Sequence, residues 1–137
     1  MIYCEGLMGD EYKTIWSSKA NNQDKSWGIE RHIGALSLIQ AKILFIEQGN
    51  STSLKYYQTK DEVLYVKEGK ILVEYDSEKY HYQNEEDRVL KRMTLSAGEI
   101  LYVQSQCPYR ITAIENSEIF EIGGRSGGAD AVKIEET

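Results

Sequence analysis

Histidine, proline and cysteine are all scarce in this chain of 137 residues, which has two histidines, one proline and two cysteines. The cysteines, Cys4 and Cys107, are too few and too unpatterned for a disulfide framework, so an apolar core must hold the fold. No apolar run approaches the roughly 20 residues of a membrane-spanning helix. The acidic N-terminus is also unlike a basic-then-apolar leader peptide. We therefore expect a cytoplasmic, reduced protein.

Positive charge is also in short supply. The 16 Lys and Arg residues face 22 Asp and Glu residues, which leaves a net charge of −6. This balance argues against nucleic acid or an anionic membrane as the main partner. A hydrophobic fraction of 41% is ordinary for one compact globular domain. The 10 tyrosines favour the half-buried surfaces of β-sheets.

Short apolar runs separated by turn residues fill most of the chain, among them "AKILFIEQG", "EVLYVKEG", "ILYVQS" and "EIFEIGG". This spacing predicts an all-β antiparallel sandwich or barrel. The polar "SSKANNQDKS" reads as a loop, "NEEDR" as a solvated hairpin tip and "GGRSGG" as a flexible joint. We expect an N-terminal arm over residues 1–25, a barrel over 26–124 and a C-terminal tail over 125–137.

Two spaced patterns carry the most specific signal. In the first, Gly49 is followed after five residues by Lys55-X-Tyr57, then after four by Glu62 and after six by Gly69. In the second, Gly98 is followed after five residues by Gln104-X-Gln106, then after two by Tyr109 and after three by Ala113. Both resemble the two motifs of the cupin superfamily, with the spacing kept and the histidines replaced.

A narrower likeness runs over roughly residues 25–137. The segments "KSWGIE", "TSLKYYQTKDEVLYV", "CPYRITAIENSEIFEI" and "DAVKIEE" resemble, in order, four segments of the type II mannose-6-phosphate isomerase cupins. The resemblance implies a cupin double-stranded β-helix with a pocket inside the barrel, and usually a homodimer. It also implies carbohydrate metabolism, with a sugar phosphate or a nucleotide sugar as the ligand and isomerase activity as one possibility.

The four positions that hold the metal in the family correspond to Lys55, Tyr57, Glu62 and Tyr109. Only Glu62 is a competent ligand for a divalent first-row metal, so we expect a degenerate site with no metal and no other cofactor. Two readings stay open for this pocket. A Lys55–Glu62 ion pair replaces the charge of the metal while the tyrosines fill volume, or the lysine and tyrosines act in metal-independent catalysis.

Three further residues are candidate ligand-binding positions. Lys60 and Arg110 stand where the family carries basic residues that meet a phosphate, although a solvated surface charge is an alternative for both. Gln104 stands in the second motif. The leading hypothesis is a cupin that acts on or binds a sugar phosphate or nucleotide sugar without a metal. The alternative is a non-catalytic cupin that binds a small polar ligand or serves as a dimeric accessory protein, with Trp27 or a strand edge at the dimer interface.

Overall fold

The computed structural model describes residues 14–76, 89–125 and 130–135. These residues form two antiparallel sheets that pack face to face. The eleven strands are β1 Asn21–Lys25, β2 Gly28–Leu36, β3 Ile39–Ile46, β4 Leu54–Tyr57, β5 Glu62–Glu68, β6 Lys70–Tyr75, β7 Lys91–Ser96, β8 Ile100–Val103, β9 Tyr109–Ala113, β10 Ser117–Gly124 and β11 Ala131–Glu135. The all-β prediction is confirmed.

Strands that are distant in sequence are neighbours in both sheets. The six-stranded sheet has the order β1-β2-β3-β10-β5-β8, and the five-stranded sheet has the order β11-β4-β9-β6-β7. Consecutive strands such as β4 and β5 or β9 and β10 therefore lie in opposite sheets. This alternation between sheets gives the jelly-roll arrangement of a double-stranded β-helix.

The core lies between the two sheets and follows the two-residue period of the strands. In β5 the side chains of Leu64 and Val66 are buried, whereas those of Val63 and Tyr65 point outward. Because successive strand residues face opposite sides of a sheet, each strand contributes one apolar row to this core. Buried charged residues, among them Glu62 and Glu121, interrupt these apolar rows.

Three glycines of the two spaced patterns have left-handed backbone conformations. The φ angles of Gly49, Gly69 and Gly98 are 86°, 90° and 95°. Residues other than glycine rarely adopt backbone angles in this region. At Gly69 a Cβ atom would also lie 2.4 Å from the carbonyl oxygen of Asn116. The spacing of both motifs therefore marks real turns between strands.

Two segments that read as irregular in the sequence contain strands. The segment predicted as a loop holds β1, which pairs with β2, and the predicted tail holds β11, which pairs with β4. All five residues of β1 are exposed, so no apolar alternation reveals the strand, and backbone pairing alone defines it. The arm, barrel and tail boundaries stay a prediction. The "NEEDR" segment, residues 126–129 of the "GGRSGG" region, Cys4 and His81 lie outside the described residues.

The described residues include no helix that is long and apolar enough to cross a membrane.

Candidate functional site

The four pocket positions predicted from the motifs come together between the two sheets. Lys55 and Tyr57 lie two residues apart on β4, and Lys55 pairs in register with Tyr109 of β9. The Tyr109 hydroxyl donates a hydrogen bond of 2.6 Å to the carboxylate of Glu62, at the start of β5 in the opposite sheet. The Lys55 ammonium lies 5.0 Å from the Tyr109 ring centroid and 5.7 Å from that of Tyr57. The catalytic role of these residues stays a prediction.

The ion pair of Glu62 is formed by Lys60 and not by Lys55. The Lys60 ammonium lies 3.3 Å from Glu62 and 3.5 Å from Glu121, and 4.4 Å from the ring centroid of Tyr57. Only 3% of the Lys60 side chain is exposed. Of the two readings left open for the pocket, the Lys55–Glu62 ion pair is therefore wrong, and so is the alternative of a solvated surface position for Lys60. Lys55 forms no ion pair with any residue that the structure describes.

Local backbone geometry explains why Lys60 turns inward. Lys60 lies in the turn that precedes β5, next to Gly123 of β10. A Cβ atom at Gly123 would lie 2.8 Å from Cε of Lys60, so the absence of a side chain there leaves the space that Lys60 fills. Because Lys60 lies in a turn, no two-residue strand alternation indicates whether its side chain points inward or outward. The sequence alone therefore did not predict that this side chain is buried.

Further charged side chains extend the cluster across the six-stranded sheet. Lys42 of β3 lies 3.9 Å from Glu121 and 2.8 Å from Glu30 of β2. Glu30 also lies 3.3 Å from Nε2 of His32 and 3.4 Å from the ammonium of Lys25. Positive and negative side chains thus alternate from Glu62 to the outer strands. We call the interior members the charged cluster: Glu30, Lys42, Lys55, Lys60, Glu62 and Glu121.

The sequence analysis did not identify three members of the charged cluster, Glu30, Lys42 and Glu121, although the strand alternation contains a signal for two of them. Glu121 alternates in phase with Ile119 and is buried like it, and Lys42 alternates in phase with Leu44. The strand period therefore points both side chains into the interior. Glu121 and Lys42 are also direct partners in the β10–β3 register. Glu30 is buried on β2 beside them.

Burial and like charge shift the pKa of Glu62 toward neutrality. Desolvation of the carboxylate and the nearby Glu121 raise the pKa of Glu62 to about 7, and Lys60 and the Tyr109 hydrogen bond oppose this rise. Glu62 can therefore release and accept a proton near neutral pH. Among ionisable side chains this is the property required of a general acid or base.

The pKa of Lys55 is lowered, because burial disfavours its charged form more strongly than Glu121 and Glu62 favour it. The pKa values of Tyr57 and Tyr109 are raised, first by burial and then by the neighbouring glutamates. Both phenols are thus neutral hydrogen-bond donors at physiological pH.

The outer part of the charged cluster is electrostatically satisfied. Burial acts to raise the pKa of Glu30, but the hydrogen bond and charge of Lys42, with Lys25 and His32, outweigh it and lower the pKa. Burial acts to lower the pKa of Lys42, yet Glu121 and Glu30 raise it. Glu30 and Lys42 therefore both carry charge, and each stabilises the other.

The residues at the four family positions do not suit a divalent metal. Lysine and neutral tyrosine are poor ligands for a first-row divalent ion, and the ammonium of Lys60 already lies beside the only carboxylate among them. The described parts of the chain contain no group of three or more His, Cys, Asp or Glu side chains arranged to hold a metal. That the protein binds no metal stays a prediction.

The other two predicted ligand-binding residues lie away from the charged cluster. Gln104 follows β8 and is exposed. Arg110 lies next to Tyr109 on β9 but points to the opposite face, where its guanidinium is 3.2 Å from Glu74. Arg110 lines a separate cleft of about 370 Å³ together with Ser26, Gly49, Asn50 and Ser51. The structure does not bring Gln104 or Arg110 together with Lys60.

The strand order, the turn glycines and the interior cluster define a small double-stranded β-helix protein with polar groups inside its barrel. No family model and no curated protein matches the sequence. Solved structures match it at low identity. The capsular polysaccharide assembling protein CapF from Staphylococcus aureus is 14% identical over 87% of this chain and 33% of its own, with a TM-score of 0.67.

Two solved structures of similar size also match. KdgF from Halomonas sp. is 16% identical over 80% of this chain and 89% of its own, with a TM-score of 0.60. An RmlC-like cupin from Shewanella frigidimarina is 16% identical over 84% of this chain and 92% of its own, with a TM-score of 0.62. The chain thus has the cupin fold, as its two motifs predicted, and it spans about a third of the length of CapF. The narrower likeness to type II mannose-6-phosphate isomerases stays a prediction.

Proposed function

We propose that this protein is a metal-independent cupin that binds a small anionic carbohydrate derivative, such as a sugar phosphate, inside its barrel and moves a proton on it. The observation that carries the proposal is the contact between Lys60 and Glu62, because it puts a tethered cation beside a carboxyl group with a pKa of about 7. The likeness to a capsular polysaccharide assembling protein supports a carbohydrate ligand.

Lys55 is the proposed anchor for the anionic group of the ligand. It is the one lysine of the charged cluster that forms no ion pair with a described residue, and its ammonium lies 5.7 Å and 5.0 Å from the ring centroids of Tyr57 and Tyr109. A bound anion would supply the missing counter-charge and would favour the protonated amine. Binding should therefore raise the pKa of Lys55 from its lowered value.

Glu62 is the proposed proton carrier. In an aldose–ketose isomerisation, the carboxylate of Glu62 removes the proton from the hydroxyl-bearing carbon beside the carbonyl and then delivers a proton to the former carbonyl carbon, while the hydroxyl proton passes from the neighbouring oxygen to the former carbonyl oxygen. The enediolate formed between these two steps carries negative charge on oxygen. The positive charges of Lys55 and Lys60 stabilise this negative charge. The neutral Tyr109 hydroxyl holds Glu62 in place through its hydrogen bond.

Proton exchange in heavy water tests this function directly. Chelator-treated protein is incubated in D₂O with a panel of aldose and ketose phosphates, and NMR follows deuterium incorporation at the carbons beside the carbonyl. We expect exchange that persists with chelator and is lost in Glu62→Gln. Absence of exchange and of any binding across the panel, or exchange that Glu62→Gln leaves unchanged, would contradict the proposal.

A specific observation also favours a second candidate, a non-catalytic cupin that binds a small polar ligand. Each carboxylate of the charged cluster already contacts a lysine, through the pairs Lys60–Glu62, Lys60–Glu121 and Lys42–Glu30. Because these charges already balance one another, the cluster can be explained without a catalytic role. The same panel separates the two candidates, because a ligand that raises the melting temperature without deuterium exchange supports binding alone.

A further inference from the structure

The amine of Lys55 has a chemical property that the proposed proton transfer does not use. Lys55 is partly buried on β4, and its nitrogen forms no ion pair within the part of the chain that the structure describes. Lys42 and Lys60, by contrast, each contact two carboxylates, at distances from 2.8 to 3.9 Å. An amine without a carboxylate beside it gives up its proton more readily. The neutral nitrogen that results is a nucleophile.

The surroundings of the Lys55 nitrogen are aromatic. It lies 5.0 Å from the ring centroid of Tyr109 and 5.7 Å from that of Tyr57. Burial lowers the pKa of Lys55, although the more distant Glu121 and Glu62 act to raise it. A lysine that is withdrawn from water in this way is the kind that forms covalent imines with carbonyl compounds.

A second observation points to a ligand that carries hydroxyl groups. The Oε2 atom of Glu62 is buried and accepts no hydrogen bond from any residue that the structure describes. The ammonium of Lys60 lies 3.3 Å from this oxygen but is not aligned to donate a hydrogen bond to it. Buried carboxylate oxygens normally have a hydrogen-bond partner, which a ligand hydroxyl would supply. Glu62 also accepts a hydrogen bond from Tyr109, whose ring lies beside Lys55.

We propose that Lys55 forms a covalent imine with the carbonyl carbon of a small hydroxyaldehyde, such as the open-chain form of a sugar, inside the barrel. This inference goes beyond the proposed function, because the aldehyde needs no anionic group and no proton moves between its carbon atoms. The same nitrogen can serve both classes of ligand. A bound anion keeps Lys55 protonated, whereas a neutral aldehyde leaves the amine able to react.

Imine formation consumes no oxidant or reductant. The lone pair of Lys55 attacks the aldehyde carbon, and one proton passes from the nitrogen to the carbonyl oxygen, which gives a carbinolamine. Glu62 in its protonated form then donates a proton to the carbinolamine hydroxyl, and this group leaves as water when its C–O bond breaks. The product is a protonated imine near the ionised carboxylate of Glu62, so the new positive charge has a counter-charge.

Reductive trapping on the folded full chain tests the imine. The protein is kept at pH 7 with D-glyceraldehyde, a hydroxyaldehyde without an anionic group, and with sodium cyanoborohydride, which reduces an imine to a stable secondary amine. Peptide mass spectrometry then measures the initial rate of labelling at each lysine. The exposed Lys19 is the internal reference. Lys55 should be labelled at least roughly tenfold faster than Lys19, because a lysine with a lowered pKa has a larger neutral fraction at this pH.

Two variants and an unfolded sample show whether the labelling depends on this site. Lys55→Met should lose the fast labelling, whereas the matched control Lys19→Met should keep it, and circular dichroism checks that both variants are folded. In guanidinium chloride the labelling rate of Lys55 should fall to that of Lys19, because the surroundings that activate the amine exist only in the folded barrel.

Two results would overturn the proposal. The first is labelling of Lys55 no faster than that of Lys19 in the folded chain, and the second is an excess at Lys55 that persists after unfolding. Neither result changes what deuterium exchange by Glu62 would show with sugar phosphates. Failure of the imine and failure of the proposed function are therefore distinguishable.

Discussion

The ammonium of Lys60 lies 3.3 Å from the carboxylate of Glu62, with both side chains almost fully withdrawn from solvent. This contact puts a positive charge of the chain itself beside the carboxylate that matches a metal ligand of the cupin motif. The buried carboxylate needs a cation nearby, and the lysine supplies it through a covalent tether. The ammonium of Lys60 can therefore balance the charge of Glu62 in place of a metal ion.

Replacing Glu62 with glutamine should flatten the pH dependence of stability. The folded-state pKa of about 7 lies above the ordinary value of 4.5, so folding binds a proton between these two values and stability falls as pH rises through that window. Glu62→Gln should remove this pH-dependent loss in the free energy of unfolding, which amounts to up to about 3 kcal/mol. Urea unfolding from pH 5 to pH 8 measures it, and equal slopes in both proteins would refute the raised pKa.

Removing the Tyr109 hydroxyl should raise the pKa of Glu62 further. The hydrogen bond of 2.6 Å stabilises the charged carboxylate, so Tyr109→Phe should also cost about 1 kcal/mol in the free energy of unfolding. Infrared titration of the carboxyl band follows the pKa. The matched control is Tyr57→Phe, because the Tyr57 hydroxyl makes no hydrogen bond to a described residue. Equal shifts in the two variants would contradict the assignment.

Gly123 should tolerate no side chain, although its neighbour should. In Gly123→Ala the new Cβ would lie 2.7 Å from the Asp61 carbonyl oxygen and 2.8 Å from Cε of Lys60. Such overpacking costs about 1–3 kcal/mol. Gly124→Ala is the control, because there the nearest atom, Cγ of Lys60, would lie 3.8 Å away. Thermal melting should separate the two variants, and similar melting temperatures would show that Lys60 has room to move.

A metal site should be recoverable only when Lys60 is also removed. Changing Lys55, Tyr57 and Tyr109 to histidine places three imidazoles around Glu62 on positions that already converge. With Lys60→Met added, the variant should bind Zn²⁺ and melt at a higher temperature in its presence. With Lys60 retained, its positive ammonium should repel the zinc ion and weaken its binding. Equal zinc binding with and without Lys60 would mean that the lysine does not occupy the metal position.

The sequence predicts the parts of this fold that depend on local spacing. Gly49, Gly69 and Gly98 mark turns because only glycine readily adopts their backbone angles, and the alternation in β5 distinguishes its two faces. The exposed strand β1 escaped prediction because its side chains have no apolar period. Its position depends on hydrogen bonds to β2, which the sequence does not display.

The same distinction applies to the candidate site, where local spacing predicts some residues and contacts between strands determine the others. The convergence of Lys55 and Tyr57 follows from their two-residue spacing on one strand, and motif spacing brings Glu62 near them. Which lysine pairs with Glu62 depends on Lys60 and Gly123, which meet only after β5 and β10 pair. Glu121 was readable from the alternation of β10 but carries no motif of its own. Contacts between distant strands therefore limit what sequence alone predicts.

The most direct test of the central claim compares the unfolding free energies of Lys60→Met and Lys55→Met at pH 8 and pH 5. If Lys60 supplies the counter-charge, Lys60→Met should cost about 3–5 kcal/mol at pH 8. This loss should shrink toward pH 5, because Glu62 is then protonated. Lys55→Met should cost less at pH 8, since Lys55 forms no ion pair with a described residue. A Lys60→Met variant as stable as the wild type at both pH values would contradict the account.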